Sequence, residues 1–219
     1  MIRNLKVLLA AAMAVGVLGA LSASGAQAAE FHCSVEPCRV TVKPDGTGKT
    51  AHQVITIKVG SQTFSTTCNT ITGEGTSSTK TFKELTLTNI VGAECSIQGE
   101  AANLTMNGCH YLMKVTGAST GSLTIICPAG KQIEAGTNGG SGCIYNIPAQ
   151  GPLNGFKFHN NEAKTEITVE TSITGMAVTI NNKCYGIKEG PAEAEFTTGN
   201  TILTSETDPG GVMASLWWE

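Results

Sequence analysis

Beyond about residue 28 the chain carries almost no helical periodicity; Thr, Val and Ile instead alternate with polar residues in short runs between Gly, Asn and Pro. Residues 52–59, HQVITIKV, place Val54 on one side of an extended strand and Ile55, Ile57 and Val59 on the other, so the second set is expected to face a core. Gly60-Ser61 is a two-residue turn of the Gly-first type, and residues 62–68 return as the partner strand. Residues 110–116 and 122–127 flank the glycine-bounded turn GASTG at 117–121. Residues 166–173 and 176–181 read as a further hairpin around Thr174-Gly175, with Ile167 and Val169 on one arm and Met176, Val178 and Ile180 on the other. Leu85 and Leu87 alternate in a strand over 82–90, while the small, polar stretch 70–81 reads as a surface loop. Shorter strands are expected at 39–42, 131–135, 143–147, 193–205 and 211–219, with turns at 44–46 and 208–210 and a glycine-rich loop at 136–142.

These elements predict an all-β protein, an antiparallel β-sandwich. A hairpin, a two-residue turn and a cysteine follow one another both at 55–68 and at 166–184, which suggests two related β-lobes at about 29–100 and 101–219.

The first 28 residues stand apart from this pattern. Arg3 and Lys6 precede an almost wholly apolar stretch from Val7 to Leu21, and Ala26-Gln27-Ala28 forms an A-x-A cleavage site, the layout of a secretory signal peptide. The mature chain is then 29–219, with no second apolar stretch of about 18 residues to span a membrane. Glu30-Phe31-His32 before Cys33 lacks the small and apolar residues that precede a lipid-modified cysteine. The expected location is secreted, extracellular or at the cell surface.

Loss of Arg3 and Lys6 leaves 12 basic against 17 acidic side chains, a formal charge of −5. No Lys/Arg cluster offsets that balance, so nucleic acid is not an expected partner. All eight cysteines, Cys33, Cys38, Cys68, Cys95, Cys109, Cys127, Cys143 and Cys184, lie in the mature part. An even count behind an export signal reads as four structural disulfides. Zinc binding or dithiol redox chemistry calls for CxxC pairs or His-x-x-x-His spacing, and neither occurs. Cys33 and Cys38 form the easiest local bridge, and Cys68 is expected to pair with Cys95. For the other four, three pairings remain open; the arms of the 110–127 hairpin already pair through their backbones, which leans toward 109 with 143 and 127 with 184 over bridging that hairpin.

Few residues suggest chemistry. GASTG matches the G-x-S-x-G nucleophile elbow, but a strand rather than a helix follows it, and the order Ser119, His159, Asp208 is wrong for that family of hydrolases. Only Asp45 and Asp208 are aspartates, and Glu74, Glu94 and Glu189 lie in polar stretches, so a carboxylate pair for glycoside hydrolysis leaves no spacing signature. His32 and His110 adjoin cysteines, while His52 and His159 sit in or beside strands; with the thiols oxidised they do not make up a metal set, and no cofactor is expected. Trp217-Trp218 is the one aromatic concentration; on a strand the rings point to opposite faces, one into the core and one outward as a candidate ligand contact.

The ordered set of an A-x-A leader, a Thr-rich strand ending in Cys68, NGCHY at 107–111, IICP at 125–128, GCIYNIPAQ at 142–150 and Cys184 resembles a group of uncharacterised secreted, cysteine-rich, all-β bacterial proteins. The resemblance covers Cys68 to about Thr198 and implies export and fold but no known activity. Cys33 and Cys38 stand outside its six-cysteine frame, a second reason to pair them with each other. The expectation is an exported, non-catalytic binding or structural module for an unknown extracellular or cell-envelope ligand; the alternative is a secreted polysaccharide hydrolase using two carboxylates.

Overall fold

The structure, a computed structural model, describes residues 29–44, 53–139, 142–182, 184–207 and 211–219. The expected leader, His52, and most of the turns expected at 44–46 and 208–210 lie outside them, as does part of the loop expected at 136–142. In chain order the strands are β1 (Phe31–Cys33), β2 (Cys38–Pro44), β3 (Gln53–Val59), β4 (Gln62–Ser77), β5 (Thr81–Phe82), β6 (Glu84–Ile97), β7 (Glu100–Thr105) and β8 (His110–Gly117). They continue as β9 (Thr120–Ile126), β10 (Ile133–Thr137), β11 (Ile144–Ile147), β12 (Gln150–Asn160), β13 (Glu166–Ile180), β14 (Gly190–Thr207), β15 (Met213–Ala214) and β16 (Leu216–Trp218). The chain thus forms the all-β, antiparallel architecture that the period-2 pattern predicts, with the four disulfides expected from its even cysteine count, consistent with a disulfide-stapled β-sandwich.

The strand pairing closes on itself twice. One circuit runs β2, β4, β6, β8, β9, β12, β13, β14 and back to β2. The other runs β3, β4, β6, β7, β10, β11, β13, β14 and back to β3. Strands β4, β6, β13 and β14, of 16, 14, 15 and 18 residues, are shared, each giving one half to each ring. Both rings draw strands from either side of residue 100, so they are not successive segments of the chain.

One continuous apolar core fills both rings. A three-stranded sheet, β16-β1-β5, packs at the end of the first, where Phe31 meets Phe158 edge-on at 5.2 Å and Phe82 at 5.4 Å. Full burial of a side chain such as Phe158 stabilises by roughly 1.5–3 kcal/mol. In the second ring Phe64 lies against Tyr145 and Tyr185, and Tyr185 donates its hydroxyl proton to the Ile97 carbonyl at 2.7 Å. Between the rings a single rung crosses the strands as Phe156, Thr171, Thr198, Gln53, Cys68, Cys95, Ala102 and Thr137.

Two expectations are corrected. The proposed hairpin at 166–181 is one uninterrupted strand, β13, that pairs with β14 along its length. Ile167, Val169, Thr171 and Ile173 are buried at odd positions; a register shift between Ile173 and Met176 then turns Met176, Val178 and Ile180 inward at even ones. A bulge changes which parity faces the core, and in the sequence that change looks like a second arm. The polar stretch from residue 70 is likewise no loop, since β4 runs on to Ser77. At Gly75 a Cβ would lie 2.4 Å from the Thr86 carbonyl and 2.9 Å from Leu85, so the neighbouring strand fills the space that an apolar side chain would otherwise mark.

Candidate functional site

All four disulfides are present and no described cysteine is free. Cys33–Cys38 closes the loop between β1 and β2, and Cys68–Cys95 joins directly opposed positions of β4 and β6. The remaining pairs are Cys109–Cys127 and Cys143–Cys184, which corrects the expected 109–143 and 127–184. Cys109 and Cys127 lie one residue beyond the opposed pair His110 and Ile126, so hairpin geometry brings their Cα atoms to 4.1 Å. Backbone pairing of the arms therefore creates the bridge geometry rather than making the bridge redundant. Cys143 precedes β11 and Cys184 follows β13, the two strands whose meeting closes the second ring.

The two tryptophans lie on β16 of the end sheet, both half-buried. Trp218 faces Phe31, and its backbone N–H and carbonyl are bracketed by the Asn160 carboxamide at 3.0 and 2.8 Å. Its indole nitrogen is buried without a partner. Trp217, on the other side of the strand, stacks on His32 with ring centroids 5.3 Å apart and planes at 11°. His32 Nε2 is 4.0 Å from carboxylate oxygens of both Glu30 and Glu219, and Lys164 Nζ lies 3.1 Å from Glu219. The Lys164 hydrogen bond and charge, the Trp217 indole N–H and then His32 hold the Glu219 carboxyl below its usual range. The cluster is a stacked aromatic pair edged by Glu30, Glu219 and Lys164.

The other sequence candidates do not converge. Ser119 is at the tip of the β8–β9 turn, where its carbonyl accepts the Phe158 N–H at 3.0 Å; strand β9 follows it. His159 stands on β12 with Nε2 3.7 Å from Glu170 of β13, both half exposed, and Asp208 lies outside the described residues. Glu74 is held by Arg39 and Asn89, and these bonds, Arg39 first, depress its carboxyl pKa. Arg39 also lies 3.2 Å from Glu206. Glu94 accepts an Asn69 N–H at 3.2 Å. Among the described residues no three His, Cys, Asp or Glu side chains are grouped to hold a metal ion, and no helix is long and apolar enough to cross a membrane.

Two features carried no sequence signal because their residues sit at ordinary inward positions of alternating strands. One is a polar belt at the waist. Tyr145 donates to Thr66 at 2.7 Å, the buried Gln53 carboxamide has no hydrogen-bond partner among the described residues, and burial raises the Tyr111 hydroxyl pKa to about 12. Burial lifts Tyr145 well above the ordinary phenol range too. The other is a cavity of about 50 Å³ inside the first ring, walled by apolar side chains such as Leu123, Phe156 and Leu203 and by Thr198 and Thr201, whose buried hydroxyls have no partner. Outside it lies a hollow of about 250 Å³ lined by Gly155, Lys157, Glu170, Thr171, Ser172 and Thr198. Thr171 and Thr198 line both. No known protein family, curated protein or solved structure matches the chain.

Proposed function

We propose that the chain is an exported, non-catalytic binding or structural module that works outside the cell or at its surface. The leader with its A-x-A site and four disulfides that consume every cysteine suit an oxidising compartment. The observation that carries the binding reading is the stacked Trp217–His32 pair on a sheet pinned to the core by Phe31. A ring already held in place gives up little rotamer freedom on contact, and its apolar face beside Glu30, Glu219 and Lys164 suits the mixed faces of a sugar polymer. Glycoside hydrolysis through two carboxylates needs one acid with a raised pKa. The two carboxylates with a resolved shift, Glu74 and Glu219, both move down.

The test is a screen of the oxidised 29–219 chain against cell-wall and environmental polysaccharides, reading both retention and released product. Retention without product, weakened by Trp217→Ala at an unchanged unfolding temperature, is the expected result. Product release abolished by replacing a single glutamate would establish the hydrolase instead. Full retention by Trp217→Ala would remove the end sheet from the contact.

A further inference from the structure

The wall between the interior cavity and the outer hollow is flanked by two register slips. Thr171 and Thr198 are opposed across β13 and β14 and are the residues common to both spaces. The register slips beside them, between Val169 and Thr171 on β13, and again on β12 between Asn154 and Phe156. Gly155, in that second slip, has φ +134°, and a Cβ there would lie 2.1 Å from the Ser172 carbonyl oxygen. Bulges interrupt the hydrogen-bond ladder and re-aim side chains, and they concentrate beside binding and catalytic sites.

The outer hollow presents one charge of each sign. Lys157 and Glu170 are opposed across β12 and β13, and both are exposed. Glu170 has His159 at 3.7 Å, while Lys157 has no ion pair among the described residues. A lone carboxylate would meet a second carboxylate in Glu170, and a lone ammonium would meet a second ammonium in Lys157. A head group carrying both charges satisfies the two side chains at once. Inside, the cavity is apolar apart from the Thr198 and Thr201 hydroxyls. Its volume of about 50 Å³ is a third of the roughly 150 Å³ that accommodates a benzene ring, so it takes a tail of about two or three carbons.

We propose that this bulged wall is the entrance to a binding site for a small apolar α-amino acid. The carboxylate sits at Lys157 and the ammonium at Glu170, and a short aliphatic side chain passes Thr171 and Thr198 into the ring. The site is separate from the Trp217 face and does not depend on the polysaccharide reading.

The test is a titration of the oxidised 29–219 chain, amide resonances assigned, with glycine, L-alanine, L-valine, L-leucine and L-phenylalanine, and with isobutyrate and isobutylamine as half-ligands. Saturable shifts centred on Phe156, Thr171 and Thr198 are expected, strongest for valine and lost for phenylalanine. Each half-ligand, and each of Lys157→Gln and Glu170→Gln, should bind at least about fivefold more weakly, the loss of one favourable charge contact of about 1 kcal/mol. Both replacements are at exposed positions, and an unchanged unfolding temperature verifies their fold. Binding of glycine as tight as that of valine would overturn the inserted side chain. Indifference to either charge replacement, or no saturable shift with any amino acid, would overturn the site.

Discussion

Removing the Cys143–Cys184 bridge should open the second ring at its narrowest seam. Strands β11 and β13 meet through two opposed pairs, Tyr145 with Ile180 and Asn146 with Thr179, and the Asn181 N–H reaches the Ile144 carbonyl at 2.9 Å. The disulfide lies beside this seam, fully buried, and closes a loop of 41 residues. Restriction of the unfolded chain by a loop of that length is worth about 4 kcal/mol, against about 2 kcal/mol for the five-residue Cys33–Cys38 loop. For a domain of this size about 4 kcal/mol corresponds to a fall in unfolding temperature of roughly 8–16 °C. The perturbation is the paired replacement Cys143→Ala and Cys184→Ala, compared with Cys33→Ala and Cys38→Ala, in oxidised protein unfolded by urea and by heat. Amide hydrogen exchange adds the local readout: Tyr145, Asn146, Thr179 and Asn181 should lose protection while Leu112 to Val115 on β8 keep theirs. If the 143–184 pair costs no more than the 33–38 pair, or the seam keeps its protection, the bridge does not hold the ring closed and the reasoning fails.

Gly155→Ala puts a methyl into the Ser172 carbonyl at a positive φ and should cost about 2 kcal/mol or more in urea unfolding; a neutral result would show that β12 can move away from β13. Tyr111 and Tyr145 bind their protons more tightly in the folded chain than when unfolded, so the stability this gives is intact below pH about 10 and is lost as pH rises through the folded values, beginning near 12 for Tyr111. Tyrosinate absorbance from these two rings should therefore appear together with loss of near-ultraviolet circular dichroism, and reversible ionisation of all three tyrosines near pH 10 in folded protein would contradict it. Arg39→Ala removes the main cause of the depressed Glu74 pKa, so its carboxyl should titrate at a higher pH by NMR; an unmoved titration would leave Asn89 as the controlling partner.

Alternation along single strands was legible wherever it ran without a bulge. Ile55 and Ile57 on β3, Leu85 and Leu87 on β6, and the turn at Gly60-Ser61 stand where period two and turn chemistry put them, and the turn expected over 117–121 narrows to the two residues between β8 and β9. Legibility failed on the long shared strands. There a bulge reverses the inward parity, as at Ile173 and Met176, or a glycine occupies an inward position beneath a neighbour's side chain, as at Gly75 beneath Leu85. Ring closure was illegible for a related reason, because it depends on one strand changing partners midway. Strand β14 pairs with β3 up to Thr198 and with β2 from Thr201 onward, and no local pattern marks that exchange. The Lys157–Glu170 hollow stayed hidden with it, since its residues come from three strands and two register slips.

Closure also limits how the chain can meet other molecules. Among the described strands only β5, β15 and β16 have a single neighbour, and they are two, two and three residues long. Free backbone donors and acceptors are thus confined to edges too short for a partner to add a strand in register. Any recognition would then fall to side chains on the outer faces, such as Trp217, or to places where the ladder itself is broken, such as the wall at Thr171. Edge-to-edge self-assembly has the same shortage of template, and the chain's formal net charge of −3 adds mutual repulsion between copies. The oxidised chain should therefore scatter light as a monomer from micromolar to millimolar concentration. Growth of the apparent mass with concentration would mean that an outer face, with exposed Val212 and Met213 the first to replace, is complementary to a second copy.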